Sequence, residues 1–189
     1  MKKRILILPA AHFQVSVIKY AKSEGYHVVT SDNRPENPGH ELADVSYDVS
    51  TTNLEGILEV AKKEEVDGVL AYASDPAAPA AAYVAEQLGL PGNPYESVKT
   101  LATKSHYRAF LRDNGFNHPD FVVFPSTEEF SEAVERVEQE LTYPVMVKPV
   151  DRSGSKGVTE VKERSGLSSA LSEAADRSIC GDVIVESFI

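Results

Sequence analysis

The chain has 189 residues, enough for one large or two small domains, and its 42% hydrophobic and 25% charged residues are those of an ordinary water-soluble globular protein. A formal net charge of -10 argues against general affinity for nucleic acid, because an acidic surface repels phosphate unless a local basic patch overrides it. Cys180 is the single cysteine, which excludes an intrachain disulfide and leaves a reducing cytoplasm as the expected compartment.

At the start, Met1-Lys2-Lys3-Arg4 precedes the apolar run Ile5 to Leu8, which breaks at Pro9 and reaches polar His12 and Gln14. Export signals need an apolar stretch of about 7 to 15 residues, so this run reads as a buried first strand. No segment approaches the roughly 20 apolar residues of a membrane span.

The first ninety residues alternate strand and helix patterns. Arg4 to Leu8 is a short apolar run, Gln14 to Ser23 is helix-like and closed by Gly25, and Tyr26 to Ser31 is a second strand-like run. After the loop around Pro35 to Gly39, Thr52 with Glu55 forms a capping-box pattern, and Leu54, Ile57, Leu58 and Ala61 share one helix face. Gly68 to Ala73 reads as a strand, and Pro76 opens an alanine-rich helix to Leu88. This order implies a parallel sheet covered by helices. The turn-forming stretch Gly89 to Pro94 marks a domain junction, dividing the chain into residues 1-94 and 95-189.

The second half changes character. A helix is expected over Lys104 to Asp113 and a strand over Phe121 to Phe124. Ser126 and Glu129 form a second capping-box pattern, followed by an apolar stripe of Phe130, Ala133, Val134, Val137 and Leu141. Val145 to Pro149, a glycine-serine loop and Val158 to Val161 suggest a hairpin. A helix presenting Leu167, Ala170, Leu171 and Ala174 follows, with a last strand from Val183, so this half reads as α+β.

The segment Pro144 to Val158 carries the strongest chemical signal. Strand alternation puts Lys148 on the same side as Met146 and opposite Val145 and Val147, and Pro149 biases Lys148 toward an extended backbone. The loop Arg152-Ser153-Gly154-Ser155-Lys156-Gly157 then offers hydroxyls, cations and glycine backbone that can approach a phosphate closely. It lacks the Gly-Lys-Ser/Thr ending of a P-loop, and a solvated hairpin turn with a snorkelling lysine is the alternative reading. Lys104 and Arg108 lie one helical turn apart, where an anion would offset their repulsion.

In the first half, Asp75-Pro76 reads as an N-cap and N1 pair at the carboxyl end of a strand, the end that faces the ligand crevice of open α/β sheets. Asp75 and His12 are therefore candidate substrate residues. Asp32 ends the second strand, where a dinucleotide-binding fold keeps its ribose-binding acid. However, Pro9-Ala10-Ala11-His12 replaces the glycine fingerprint, which disfavours an NAD(P)-dependent oxidoreductase. No Ser-His-Asp set and no zinc-like Cys/His cluster stands out.

Taken together, these segments resemble the ATP-grasp superfamily, particularly its carbamoyl phosphate synthetase, biotin carboxylase and phosphoribosylglycinamide synthetase branch. The resemblance covers nearly the whole chain and is carried by four pieces in order: the α/β region to Pro94, Ser97 to Arg108, Tyr143 to Gly157, and Val183 to Ile189. It implies a Rossmann-like parallel-sheet pre-ATP-grasp domain followed by an α+β ATP-grasp lobe.

Residue by residue, the resemblance implies that Lys104 and Lys148 contact ATP phosphates and that Arg152 to Gly157 close over them. It also implies that Glu186, Ser187, Phe188 and Ile189 meet the adenine, through the backbone of Ser187 and Ile189, with Phe188 packed in apolar surroundings. The implied activity is ATP-dependent ligation of a small-molecule carboxylate to an amine or ammonia. The family's magnesium ligands are expected beyond Ile189, so the lobe is expected to be truncated here. A homo-oligomer is compatible with the resemblance. The alternative of another class is a non-catalytic nucleotide-binding or interaction module.

Overall fold

The computed structural model describes residues 2-189, and the side chains of all of these but Phe130. The chain divides into two compact units, Met1–Lys99 and Thr100–Ile189.

The first unit is built on a four-stranded parallel sheet of β1 (Arg4–Leu8), β2 (His27–Ser31), β3 (Val45–Tyr47) and β4 (Gly68–Ala71), in the spatial order β3-β2-β1-β4. Its helices are α1 (Val15–Ser23), the short α2 (Pro38–Leu42), α3 (Leu54–Lys63) and α4 (Ala78–Leu88), and α5 (Tyr95–Ala102) spans the division between the units. Strand alternation separates two cores. Leu6, Leu8 and Val29 pack with Ile57, Leu58, Ala61, Ala80 and Val84, whereas Ile7 and Val28 pack with Ile18 and Ala21. The expected parallel sheet with helical cover is present.

The boundaries differ from the sequence reading in instructive ways. β3 and α2 occupy what read as loop, because three half-exposed strand residues and a five-residue helix leave no apolar pattern. The cap of α3 is Asn53, whose side chain accepts from the Gly56 N–H at 3.0 Å, so the Thr52–Glu55 capping box is not formed. Asp75 is likewise not the N-cap of α4. It begins a 3-10 turn, Asp75–Ala77, closed by the Ala77 N–H on the Ser74 carbonyl at 3.2 Å, and Pro76 fits this turn because it has no N–H to satisfy.

The second unit holds an antiparallel sheet of β5 (Phe121–Phe124), β6 (Val145–Pro149), β7 (Thr159–Val161) and β8 (Val183–Ser187), ordered β5-β8-β6-β7. Helices α6 (Lys104–Asp113), α7 (Phe130–Glu140) and α8 (Leu167–Arg177) accompany it. Val122, Phe124, Val145, Val147, Val183 and Val185 line one sheet face and bury against Ala133 and Val137 of α7 and Leu167, Ala170, Leu171 and Ala174 of α8. Phe130, expected on the α7 stripe, has a side chain outside the described residues. The Ser126–Glu129 capping box is absent: Glu129 is the N-cap without a side-chain bond, and the Ser126 N–H is taken by Asp182 at 2.9 Å.

Candidate nucleotide site

The helix-covered face of the second sheet uses every other residue of each strand, which leaves the alternate residues for the opposite face. On that face the register sets Met146 against Glu186 and Lys148 against Ile184, so Lys148 and Glu186 are diagonal neighbours across β6 and β8. The Lys148 ammonium lies 2.5 Å from the Glu186 carboxylate, whose side chain is only 3% exposed. Arg108, from α6, completes the cluster: its Nε donates to Glu186 Oε1 at 3.0 Å and its Nη2 to Oε2 at 3.3 Å.

Lys104 opens α6, one turn before Arg108. Its backbone N–H donates to the Val150 carbonyl at 2.8 Å. Its ammonium donates to the carbonyls of Pro149 at 2.9 Å and Arg152 at 2.5 Å. The start of α6 is thus seated on the end of β6 and the beginning of the following loop, so Lys104 and Lys148 converge around Pro149 although they are far apart in sequence.

The glycine-serine loop is held at both ends by the last turn of α8. Arg152 Nε donates to the Arg177 carbonyl at 2.5 Å, and Gly157 (φ +70°) lies so near that a Cβ there would meet the Arg177 Cβ at 2.9 Å. Between these anchors Gly154 and Ser155 also have positive φ, 69° and 55°, and Gly154, Ser155 and Lys156 are exposed. Ser153, between Arg152 and Gly154, is half-buried.

Asp151 fixes the loop's entry from the other side. Its carboxylate accepts from the Ile179 N–H at 2.9 Å, the Cys180 N–H at 2.8 Å and Ser178 Oγ at 3.0 Å. Burial by itself raises its pKa, but the hydrogen bonds from Ile179, Cys180 and Ser178 outweigh it and hold the carboxyl below its usual value. Burial, with the adjacent Asp151 charge, pushes the Cys180 thiol up, so it is not an activated thiolate.

Of the sequence candidates, Lys104, Lys148, Arg152 to Gly157 and Glu186 therefore gather in the second unit. Ser187 ends β8, and its N–H is committed to the Asp120 carbonyl at 2.9 Å, which leaves its carbonyl as the group available to a ligand donor. Phe188 is 52% exposed rather than packed in apolar surroundings, although its N–H still donates across to the Pro144 carbonyl at 3.2 Å. Ile189 is also exposed. Arg108, Asp151 and Arg177 complete the arrangement. Only Arg108 had a sequence signal, its one-turn spacing from Lys104.

In the first unit, His12 and Asp75 follow the carboxyl ends of the adjacent strands β1 and β4, and both are exposed. Strand order reverses between these strands, which is where open α/β sheets form their crevice. Gln14 joins the two loops by donating from Nε2 to the Tyr72 carbonyl. Asp32 is buried, accepting from the Ala10 N–H at 3.1 Å and Asn37 Nδ2 at 2.7 Å. It ties down the Pro9–His12 turn instead of presenting a carboxylate to a ribose.

Among the described residues, no group of three or more His, Cys, Asp or Glu could hold a metal ion, and no helix is long and apolar enough to cross a membrane.

Residues 110–189 match the family model described as D-ala D-ala ligase C-terminus. The chain is 27% identical over 172 aligned positions to the carbamoyl phosphate synthase large chain of Pseudothermotoga lettingae, covering 89% of this chain and 15% of that protein. It is 27% identical over 196 positions to the formate-dependent phosphoribosylglycinamide formyltransferase of Hydrogenovibrio crunogenus, covering 98% of this chain and 47% of that one.

Among solved structures, the biotin carboxylase domain of Hydrogenobacter thermophilus 2-oxoglutarate carboxylase superposes with a TM-score of 0.68 at 20% identity, over all of this chain and 45% of that one. That structure is a dimer in complex with MgADP, ADP and bicarbonate. The chain is thus similar in sequence and in fold to ATP-grasp ligases. It spans less than half the length of these relatives.

Proposed function

We propose that this chain contributes the phosphate-binding part of an ATP-dependent carboxylate-amine or carboxylate-ammonia ligase. The observation that carries the reading is that Lys104 is seated on the Pro149 and Arg152 carbonyls where the loop begins, next to the strand position from which Lys148 projects. Lys148 and Arg108 stand against the carboxylate of Glu186 and Lys104 is held by backbone carbonyls beside them, a concentration of cations on a chain whose net charge is -10.

In this reading Lys104 and Lys148 bind the phosphates, and the Arg152–Gly157 loop folds over them with its exposed serine, glycine and lysine tip. The C-terminal end of β8, at Glu186 and Ser187, and the Phe188 and Ile189 that follow receive the adenine. The first unit serves as a Rossmann-like pre-ATP-grasp domain, and His12 and Asp75 contact the acceptor at its sheet crevice.

The reaction proceeds in two displacements. A carboxylate oxygen attacks the γ-phosphorus while the bond to the β-γ bridging oxygen breaks, and ADP leaves. The nitrogen nucleophile then attacks the acyl phosphate carbonyl, and phosphate departs with the former carboxylate oxygen while the nitrogen loses a proton. The lysines favour the first step by neutralising charge on the transferring group. Magnesium would supply further neutralisation, but among the described residues no group of three or more His, Cys, Asp or Glu could hold it.

The test is isotopic. The protein isolated from its source cell is incubated with ATP, magnesium, ammonia or amines and carboxylates labelled with oxygen-18. Label is expected in the released phosphate. Ligation with unlabelled phosphate would overturn the acyl phosphate, and the absence of carboxylate-dependent ADP formation across the panel would overturn the ligase assignment.

A further inference from the structure

Glu186 is nearly inaccessible to solvent, yet it is bound to a residue that must leave it if Lys148 is to reach a phosphate. A buried carboxylate stripped of its counter-charge is strongly destabilising, so Lys148 is released only if another cation stays behind. Arg108 has the form for that task. Its planar guanidinium spans both Glu186 oxygens, at 3.0 and 3.3 Å, in a geometry that favours staying in place. Lys148 makes a single-point contact from a flexible stem, a geometry that favours movement. The two cations therefore differ in role although they share one carboxylate.

We propose that Arg108 is a positioning residue for nucleotide binding: it keeps Glu186 neutralised while the Lys148 ammonium transfers from that carboxylate to a nucleotide phosphate. This rests on the nucleotide reading above, and it adds that Arg108 acts on affinity without touching the ligand. When Arg108 is removed, Glu186 becomes a trap for Lys148.

The experiment is a double-mutant cycle of Arg108→Met and Glu186→Gln in the 189-residue chain, titrated with MgADP. In parallel, Lys148 acylation by a small anhydride is timed by peptide mass. Arg108→Met is expected to weaken MgADP about tenfold or more and to slow Lys148 acylation several-fold. In the Glu186→Gln background, where no charge remains to trap the lysine, the same change is expected to cost less than about twofold in either measurement. Arg108→Lys, which keeps the charge but loses the two-point grip, is expected to fall between, and it supplies the comparison if Arg108→Met does not fold.

An unchanged affinity or acylation rate in Arg108→Met would overturn the proposal. So would an equal penalty in the Glu186→Gln background, since that would make Arg108 a ligand contact or a general structural support. If the unaltered chain does not bind MgADP, the nucleotide reading fails by itself, and the acylation series still decides whether Arg108 controls Lys148.

Discussion

Lys148 and Glu186 face each other diagonally across β6 and β8 with 2.5 Å between ammonium and carboxylate, on the sheet face opposite the packed core. The pairing makes the lysine's position independent of helix packing, because it follows from strand register alone. Replacing Lys148 with Met is therefore expected to leave the fold intact, since Arg108 still neutralises Glu186 and the methionine fills similar space. MgADP affinity is expected to fall at least tenfold, or about 1.4 kcal/mol. Calorimetric titration beside a thermal melt checks both halves, and retained affinity would remove Lys148 from the site.

The glycines of the phosphate loop separate conformational from packing demands. Both Gly154 and Gly157 have φ near +70°, where an L side chain costs about 1–2 kcal/mol. A Cβ at Gly154 meets nothing, whereas one at Gly157 would press on Arg177 and Pro149. Gly157→Ala is expected to destabilise the second unit clearly more than Gly154→Ala, measured by urea unfolding of each variant. Equal losses would show that Arg177 yields and that the loop is not clamped to α8.

Asn53 offers a direct comparison between a cap that forms and one suggested by pattern. Its side chain satisfies the Gly56 N–H, so Asn53→Ala should cost about 0.5–2 kcal/mol. Thr52→Ala should change stability by less than about 0.5 kcal/mol, because its exposed hydroxyl bonds only Ser50. The opposite ranking in chemical denaturation would restore the capping box.

That contrast shows where sequence patterns run out. Elements with a long, one-sided apolar pattern were legible: α6 was bounded correctly at Lys104–Asp113, and the face of α8 at Leu167, Ala170, Leu171 and Ala174 is buried. The placement of Lys148 on the strand face opposite Val147 followed from period-two alternation. β3 and α5 were not legible, because 3 and 8 residues are too short a run for periodicity to separate them from loop. Competing partners also defeat local rules, as when Asp182 takes the Ser126 N–H that a capping box would have left to the helix start. The cations of the site could be named from sequence, but the pairing of Arg108 with Glu186 depends on tertiary approach between α6 and β8 and leaves no local trace.

Asp151 predicts a pH signature for the base of the phosphate loop. Its carboxylate accepts bonds from Ser178, Ile179 and Cys180, and these outweigh the opposing effect of burial, so its folded pKa lies below the unfolded value near 3.8. A depressed carboxyl pKa stabilises the fold above the unfolded pKa, and that stabilisation is lost as pH falls through the folded value. In Asp151→Asn, the amide can present its oxygen to some of these donors but must turn its NH₂ toward another. The variant should lose about 1–3 kcal/mol at pH 7. Because the unaltered protein also loses the Asp151 charge in acid, the difference should shrink below about pH 4. Urea denaturation at pH 7 and pH 3 measures both values. A gap that stays constant between them would mean that the three donors support Asp151 through shape and not through its charge.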